Sequence, residues 1–373
     1  MADLTECYSE FIKIENFLNL IINIYTFSFL PRKILFGLEK YVFIALTLYF
    51  CATSISALLY LNGITLESGI IISISAGVVQ ITTKTLVPSL KETELNELLL
   101  WIRELHKNHT FSLITQSAAT HFKKIQSIIK ILHKLFFLAY FTAAVFTIGY
   151  AVYSNFVAHA IPWIPVNENE SNIYHHIHQA IVLPIISVIL SSCDCLLVTI
   201  GFYIIAIQNV FHDMIVQLDD PNLENKKQFL KTIYILHCEI LKKFRIFNDV
   251  YFYVFTVQAG SNALIIMFIF YIIRIETNIV FVPLVLGIYF QFGLLCIFGE
   301  FIFSKSEDIF TDLYLTKWYE FDLSDQKVFL MMMCISKYPF GLKAAGMYDI
   351  NIVMFIQVIK AGFSFCAILY TFT

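Results

Sequence analysis

The chain has 373 residues, of which 58% are hydrophobic and only 14% charged, against about 25% charged in soluble domains. So large an apolar fraction excludes a soluble globule and marks a polytopic membrane protein. The net charge of −3 says little about partners, because the basic residues are sorted by segment: 23 of the 25 Lys and Arg fall within 1–40, 84–134, 212–248 and 299–346.

The connecting segments near 62–68, 162–178 and 274–278 hold one basic residue, Arg274, against Glu67, Glu168, Glu170 and Glu276. Basic loops resist translocation. An all-α membrane protein with seven transmembrane helices is therefore expected, its N-terminus cytoplasmic and its C-terminus extracellular. That orientation is opposite to a G-protein-coupled receptor, and neither an Asp-Arg-Tyr nor an Asn-Pro-x-x-Tyr motif occurs.

In chain order, residues 16–31 are uncharged but follow Asp3, Glu6, Glu10 and Glu15, so they read as a short apolar helix against the bilayer, ended by Pro31, and not as a signal peptide. The spans are expected near 41–61, 69–87, 135–163, 179–211, 250–273, 279–298 and 347–371. The first, Tyr41–Leu61, has no charge, and its length suffices for about 30 Å of hydrocarbon. The second carries Lys84 near its inner end, where a lysine is able to snorkel. The third ends at Pro162 and Pro165, and the fourth is long for one crossing, so its inner end should project from the membrane. Segments 88–134, 212–248 and 299–346 make a cytoplasmic anchor; Leu95, Leu98, Leu99, Ile102 and Leu105 there recur at helical spacing. The whole chain, 1–373, reads as one seven-helix domain without internal repeat.

Three ionisable residues fall inside expected spans: Asp194, Asp349 and Lys360. Each costs roughly 2.5–3.5 kcal/mol at a helix centre on insertion scales, so each needs a partner, a wet cavity or an interfacial position. Asp194 follows Ser191 and Ser192 and has no basic partner nearby in sequence; it is read as a hydrogen-bonded carboxyl at a helix contact, or as an ion site. Asp349 is placed at the inner mouth of the last span. Lys360 lies off the stripe Ile359, Gly362, Cys366, Tyr370 and Thr373, so if that stripe lines a pore, Lys360 faces neighbouring helices. The eight cysteines are scattered, with none in an outside loop, so no disulfide framework is expected. Cys193 and Cys195 lack the further ligands of a zinc site. His175, His176 and His178 lie beside Glu168 and Glu170, read either as a solvated loop or as a metal site. The sequon at Asn169 falls in the longest outside loop and is a candidate for glycosylation; the one at Asn108 falls inside the cell. No phosphate loop, nucleophile elbow or metalloprotease motif occurs, so no enzyme and no cofactor is expected, nor a nucleic-acid partner.

The last 70 residues carry Ser306, Ile309, Tyr314 and Trp318-Tyr319, an apolar run 328–335, then Lys337-Tyr338-Pro339, Ala345-Gly346, Phe355, Lys360 and Phe363-Ser364. This pattern resembles the C-terminal signature of insect odorant receptors. The resemblance implies a ligand-tuning subunit of an odorant-gated, non-selective cation channel, assembled as a heterotetramer with a co-receptor subunit in the plasma membrane of olfactory sensory neurons, with no G protein required. The short 212–248 segment separates it from the co-receptor, and the ending lacks the signature of the sister gustatory receptors. A gustatory-type chemoreceptor channel and a transporter remain the alternatives; the latter predicts two related halves.

An odorant pocket should be apolar and aromatic with few polar groups. The outer halves of spans two to six offer Val78, Phe146, Tyr150, Tyr153, Ile186, Ile189, Tyr289 and Phe292 for it. The tyrosines among these combine a ring with a hydroxyl able to orient an oxygenated ligand. Cys366, Leu369 and Tyr370 are the candidates for the narrow outer end of a pore along the last helix, where apolar side chains close by dewetting.

Overall fold

Uncharged stretches of about 20 residues in hydrocarbon have only one local solution, because every backbone amide must find its partner within its own helix. The computed structural model, which describes residues 4–27, 38–60, 66–107, 112–166, 172–221, 223, 225–275 and 282–372, is accordingly nearly all helix. Its helices are α1 (Leu4–Thr26), α2 (Val42–Leu59), α3 (Leu66–Leu90), α4 (Glu92–Leu105), α5 (Ser112–Tyr153), α6 (Ile173–Gln217), α7 (Lys226–Ile275), α8 (Val282–Leu315), α9 (Leu323–Ser336) and α10 (Ile352–Phe372). Six of them, α2, α3 and α5 to α8, are long and apolar enough to cross a membrane. The 21-residue α10 is the seventh, at about 1.5 Å per residue long enough for the hydrocarbon.

Helix α7 has 50 residues and α6 has 45, more than twice the roughly 20 that a bilayer requires. The surplus runs past the membrane at the basic end of the bundle: Lys123, Lys124 and Lys130 lie in the first half of α5, and Lys226 to Arg245 in the first half of α7. There the two extensions join α1, α4 and α9. The helical extension expected over 88–134 consists of α4 and the start of α5.

Helix α1 departs from the expectation of a helix resting on the bilayer. It starts at Leu4, and its stripe of Phe11, Leu18, Ile22 and Tyr25 is buried in the bundle. Glu15, buried on the same stripe, is fixed by Arg103 of α4 at 2.7 Å. Phe11 stacks on His106 at 4.6 Å between ring centroids, and Phe122 and Tyr203 close the same aromatic cluster. Burial there pushes the His106 ring down to about 4, so it is neutral. Pro31 lies outside the described residues.

Two further boundaries move. Helix α5 ends at Tyr153, and residues 154–166 fold into a lid instead of completing a helix to Trp163. The last span begins at Ile352 and not at 347, because Lys343–Ala344 and Tyr348–Asp349 form a two-stranded antiparallel hairpin. Its turn needs left-handed backbone at Ala345 and Gly346, φ 52° and 71°, a conformation cheap only for glycine. Asp349 therefore leaves the membrane span; its carboxylate lies 3.9 Å from Lys343 across the hairpin. The hairpin is tied to α7 by the Ala345 amide, which donates to Thr256 Oγ1 at 2.9 Å.

Glycine sets two close helix crossings. A Cβ at Gly201 of α6 would meet the ring of Phe298 on α8, and one at Gly362 of α10 would meet Phe270 on α7. Small residues at such positions let membrane helices approach where no hydrophobic effect drives them together.

Candidate functional site

The interior wall of the bundle comes from α3, α6 and α8. Ile71, Ile74 and Val78 recur at helical spacing on α3, and Val78 is fully enclosed. Ile189 of α6 and Phe292 of α8 are buried, while Ile186 and Tyr289 are half-buried against the same core. At the end away from the basic extensions a second apolar cluster joins Ala57, Ile70, Ile71, Ala151 and Phe156, with Tyr150 packed against it. Ile74 and Val285 touch both clusters, so roof and wall are continuous. Tyr150 meets Phe156 of the lid at 5.9 Å between rings.

Two sequence candidates point elsewhere. Helix α5 buries Ala144 and Ala151, and Phe146 and Tyr153 fall about 180° from that stripe, at 100° per residue. They are 64% and 91% exposed, facing outward from the bundle. Val78, Ile186, Ile189, Tyr289 and Phe292 thus belong to the main apolar core and Tyr150 to the second cluster, while these two lie in neither.

The floor is polar, and sequence reasoning missed most of it. Lys84 does not snorkel. Its ammonium is buried and donates to Asp194 Oδ1 at 2.5 Å, while Tyr140 donates to Oδ2 at 2.7 Å. Asp194 thus has the basic partner that its sequence neighbourhood lacks, supplied by α3. A cavity of about 40 Å³ opens beside it, lined by Tyr140, Asp194, Gln258, Gln291, Leu295 and Phe298. Gln291 donates to Gln80, which donates to Ser261 at 2.7 Å and to Asn262 at 2.9 Å, linking α8 to α3 and α7. A glutamine or asparagine facing hydrocarbon would have been a signal; here each lies in a long apolar run that hides its face.

Over the roof, the lid is stapled by α6 and α2. Gln179 Oε1 accepts from the Ala158 amide at 2.6 Å, and His175 Nδ1 from that of Ile161 at 3.0 Å. His178 bridges Tyr49 at 2.8 Å to the His159 carbonyl at 3.3 Å, and His176 meets Asn155 at 3.0 Å. These rings serve as hydrogen-bond staples, and among the described residues no group of three or more metal-ligating side chains occurs. Glu168, Glu170, Asn169 and Asn108 lie outside the described residues.

Helix α10 shows which of its faces is spoken for. Cys366 Sγ lies 3.7 Å from the Phe270 carbonyl of α7, on the same side as Gly362. Of the expected pore stripe, Gly362 is buried and Cys366 half-buried against α7. The opposite face, with Val353, Gln357, Lys360 and Ser364, is exposed, so Lys360 lies outside the packed interior. The side chains of Leu369 and Tyr370 lie outside the described residues. Phe355 of α10 touches the site directly, 5.6 Å from the Phe292 ring and 6.4 Å from that of Tyr289.

Comparison with known proteins gives this geometry a context. A profile of the 7tm odorant receptor family matches residues 71–363. No curated protein sequence matches. Among solved structures, the insect olfactory receptor OR5 from Machilis hrabei is similar at a TM-score of 0.76 and 13% identity, over 98% of this chain and 100% of that one. The same receptor in complex with eugenol is similar at 0.72 and 14% identity, over 98% and 100%. At such identity the likeness establishes the fold.

Proposed function

Because the chain belongs to the 7tm odorant receptor family, we propose that it is the ligand-tuning subunit of an odorant-gated, non-selective cation channel formed with a co-receptor. The observation that carries this reading is the ring contact of Tyr289 and Phe292 on α8 with Phe355 on α10. A small volatile ligand seated against Tyr289 presses on the same ring that positions the last helix.

The basic end of the bundle is cytoplasmic in this reading, and the lid faces outside. The ligand occupies a site that opens among Val78, Tyr150, Ile186, Ile189, Tyr289 and Phe292, beneath the lid. It opens the channel by binding the open arrangement more tightly than the closed one. The pore runs along the face of α10 that carries Gln357, Lys360 and Ser364, turned away from Cys366. The assembly is a heterotetramer in the plasma membrane of olfactory sensory neurons and needs no G protein.

The test is co-expression with an odorant co-receptor and recording of currents as odorants are added. Tyr150→Ala and Tyr289→Ala should reorder the odorant response profile, whereas Tyr153→Ala, on the outward face, should leave it unchanged. A heteromer that reaches the surface and passes no odorant-dependent current would overturn the reading.

A further inference from the structure

Gln258 of α7 is 4% exposed, in the part of the bundle that crosses hydrocarbon, and its side-chain amide has no hydrogen-bond partner among the described residues. It lines the cavity of about 40 Å³ beside Asp194. A glutamine amide carries two donor hydrogens and an acceptor oxygen. Leaving such a group unpaired in an apolar interior is costly, and buried polar side chains are nearly always paired.

The other walls of the cavity offer what this amide lacks. Lys84 donates to one oxygen of Asp194 and Tyr140 to the other, at 2.5 and 2.7 Å. A carboxylate accepts at about four lone-pair positions, so Asp194 keeps acceptor capacity. The Tyr140 hydroxyl gives its proton to that carboxylate and keeps a lone pair. Gln291 enters from α8, hydrogen-bonded to Gln80 at 3.3 Å. Polar side chains of α5, α6, α7 and α8 thus line one small space.

We propose that this space is the binding site of an ordered water, held by the Gln258 amide and the Asp194 carboxylate. Size limits the occupant. A water takes about 30 Å³, whereas ligand pockets begin at roughly 300 Å³, so one or two waters fit and a volatile ligand does not. Chemistry narrows it further. A lipid tail would leave the amide unpaired. A metal cation would add a charge where Lys84 already neutralises Asp194, and an uncompensated charge is expensive at this depth. A buried water makes about three hydrogen bonds, and the groups lining the cavity supply them.

The water joins two sets of side chains that direct hydrogen bonds leave separate among the described residues. One is Lys84, Asp194 and Tyr140; the other is Gln291, Gln80, Ser261 and Asn262. Bridged through Gln258, they form one polar network across α3, α5, α6, α7 and α8. Such bonds matter where no hydrophobic effect draws helices together.

The experiment is X-ray radiolysis of the full-length protein in lipid nanodiscs, read by mass spectrometry. Radicals generated from a bound water oxidise the side chains around it, however deeply these are buried. Leu295 and Phe298, 6% and 5% exposed on the cavity wall, should be oxidised, while Phe122 and Phe329, buried in the anchor, stay unmodified. Gln258→Leu should bring Leu295 and Phe298 down to the level of Phe329. Replacing sodium and potassium by choline should change nothing. Leu295 and Phe298 as silent as Phe329 in the wild type would overturn the proposal, and this comparison stands even where the variant fails to fold. Undiminished labelling in Gln258→Leu would remove Gln258 as the holder of the water, and labelling that depends on the metal cation would replace the water by an ion; either result overturns the proposal as well.

Discussion

Lys84 and Asp194 are buried together in the part of the bundle that crosses hydrocarbon, with side chains 2% and 9% exposed. Desolvating two charges costs several kcal/mol per ion, and their attraction offsets it only with good geometry and further hydrogen bonds. The Tyr140 hydroxyl on the second carboxylate oxygen supplies one. Removing a single partner strands the other charge. Lys84→Met or Asp194→Leu alone should therefore destabilise the protein by about 3–5 kcal/mol, read as a lower melting temperature of detergent-purified protein and reduced surface expression. The double variant should recover much of that loss, since two apolar side chains of similar volume leave nothing unpaired. A double variant as unstable as the sum of the singles would mean that the pair contributes more than mutual neutralisation. The sequence marked Asp194 as expensive but did not show its partner 110 positions away, because helix pairing is a property of the bundle and not of either run.

At the scale of elements, α10 shows what periodicity does and does not reveal. Its 21 residues are mostly apolar, with Gln357, Lys360 and Ser364 gathered on one face, so the pattern specifies a helix without saying what each face meets. That choice follows from Gly362, the place where the Phe270 ring comes closest, and it turns Cys366 inward and Gln357, Lys360 and Ser364 outward. The hairpin before it was legible only as the Ala345-Gly346 pair; its left-handed turn explains those residue types, and its docking on Thr256 required the structure. In the same way the phase of α5, set by Ala144 and Ala151, turns Phe146 and Tyr153 outward although their chemistry suits a ligand pocket. If the outward face of α10 lines the pore, Lys360 places a positive charge in the path of cations. Lys360→Gln should raise single-channel cation conductance, with the effect shrinking as ionic strength screens the charge. Cys366→Ala should leave conductance unchanged. The opposite pair of results in patch recordings would put the pore on the Cys366 face.

For the whole molecule, span number and the basic end follow from hydropathy and from the sorting of Lys and Arg, signals spread over hundreds of residues and insensitive to any one contact. The structure adds a mechanical reason for the sorting. The extensions of α5 and α7 carry their lysines on helices that continue straight out of the membrane, where they bind acids of α1 and α4: Lys123 with Glu6 at 3.0 Å and Lys243 with Glu97 at 2.7 Å. At the lid end the described residues include the exposed Trp163 and Ile164. Basic residues near span ends resist translocation, so the basic end is expected to stay on the cytoplasmic side. A membrane-impermeant maleimide tests it. Trp163 is 95% exposed in the lid, so Trp163→Cys should label on intact cells. The native Cys238 and Cys334, exposed on α7 and α9 at the basic end, should label only after permeabilisation. Labelling of the native pair on intact cells, with Trp163→Cys silent until permeabilisation, would invert the molecule and with it the side from which a ligand reaches the lid.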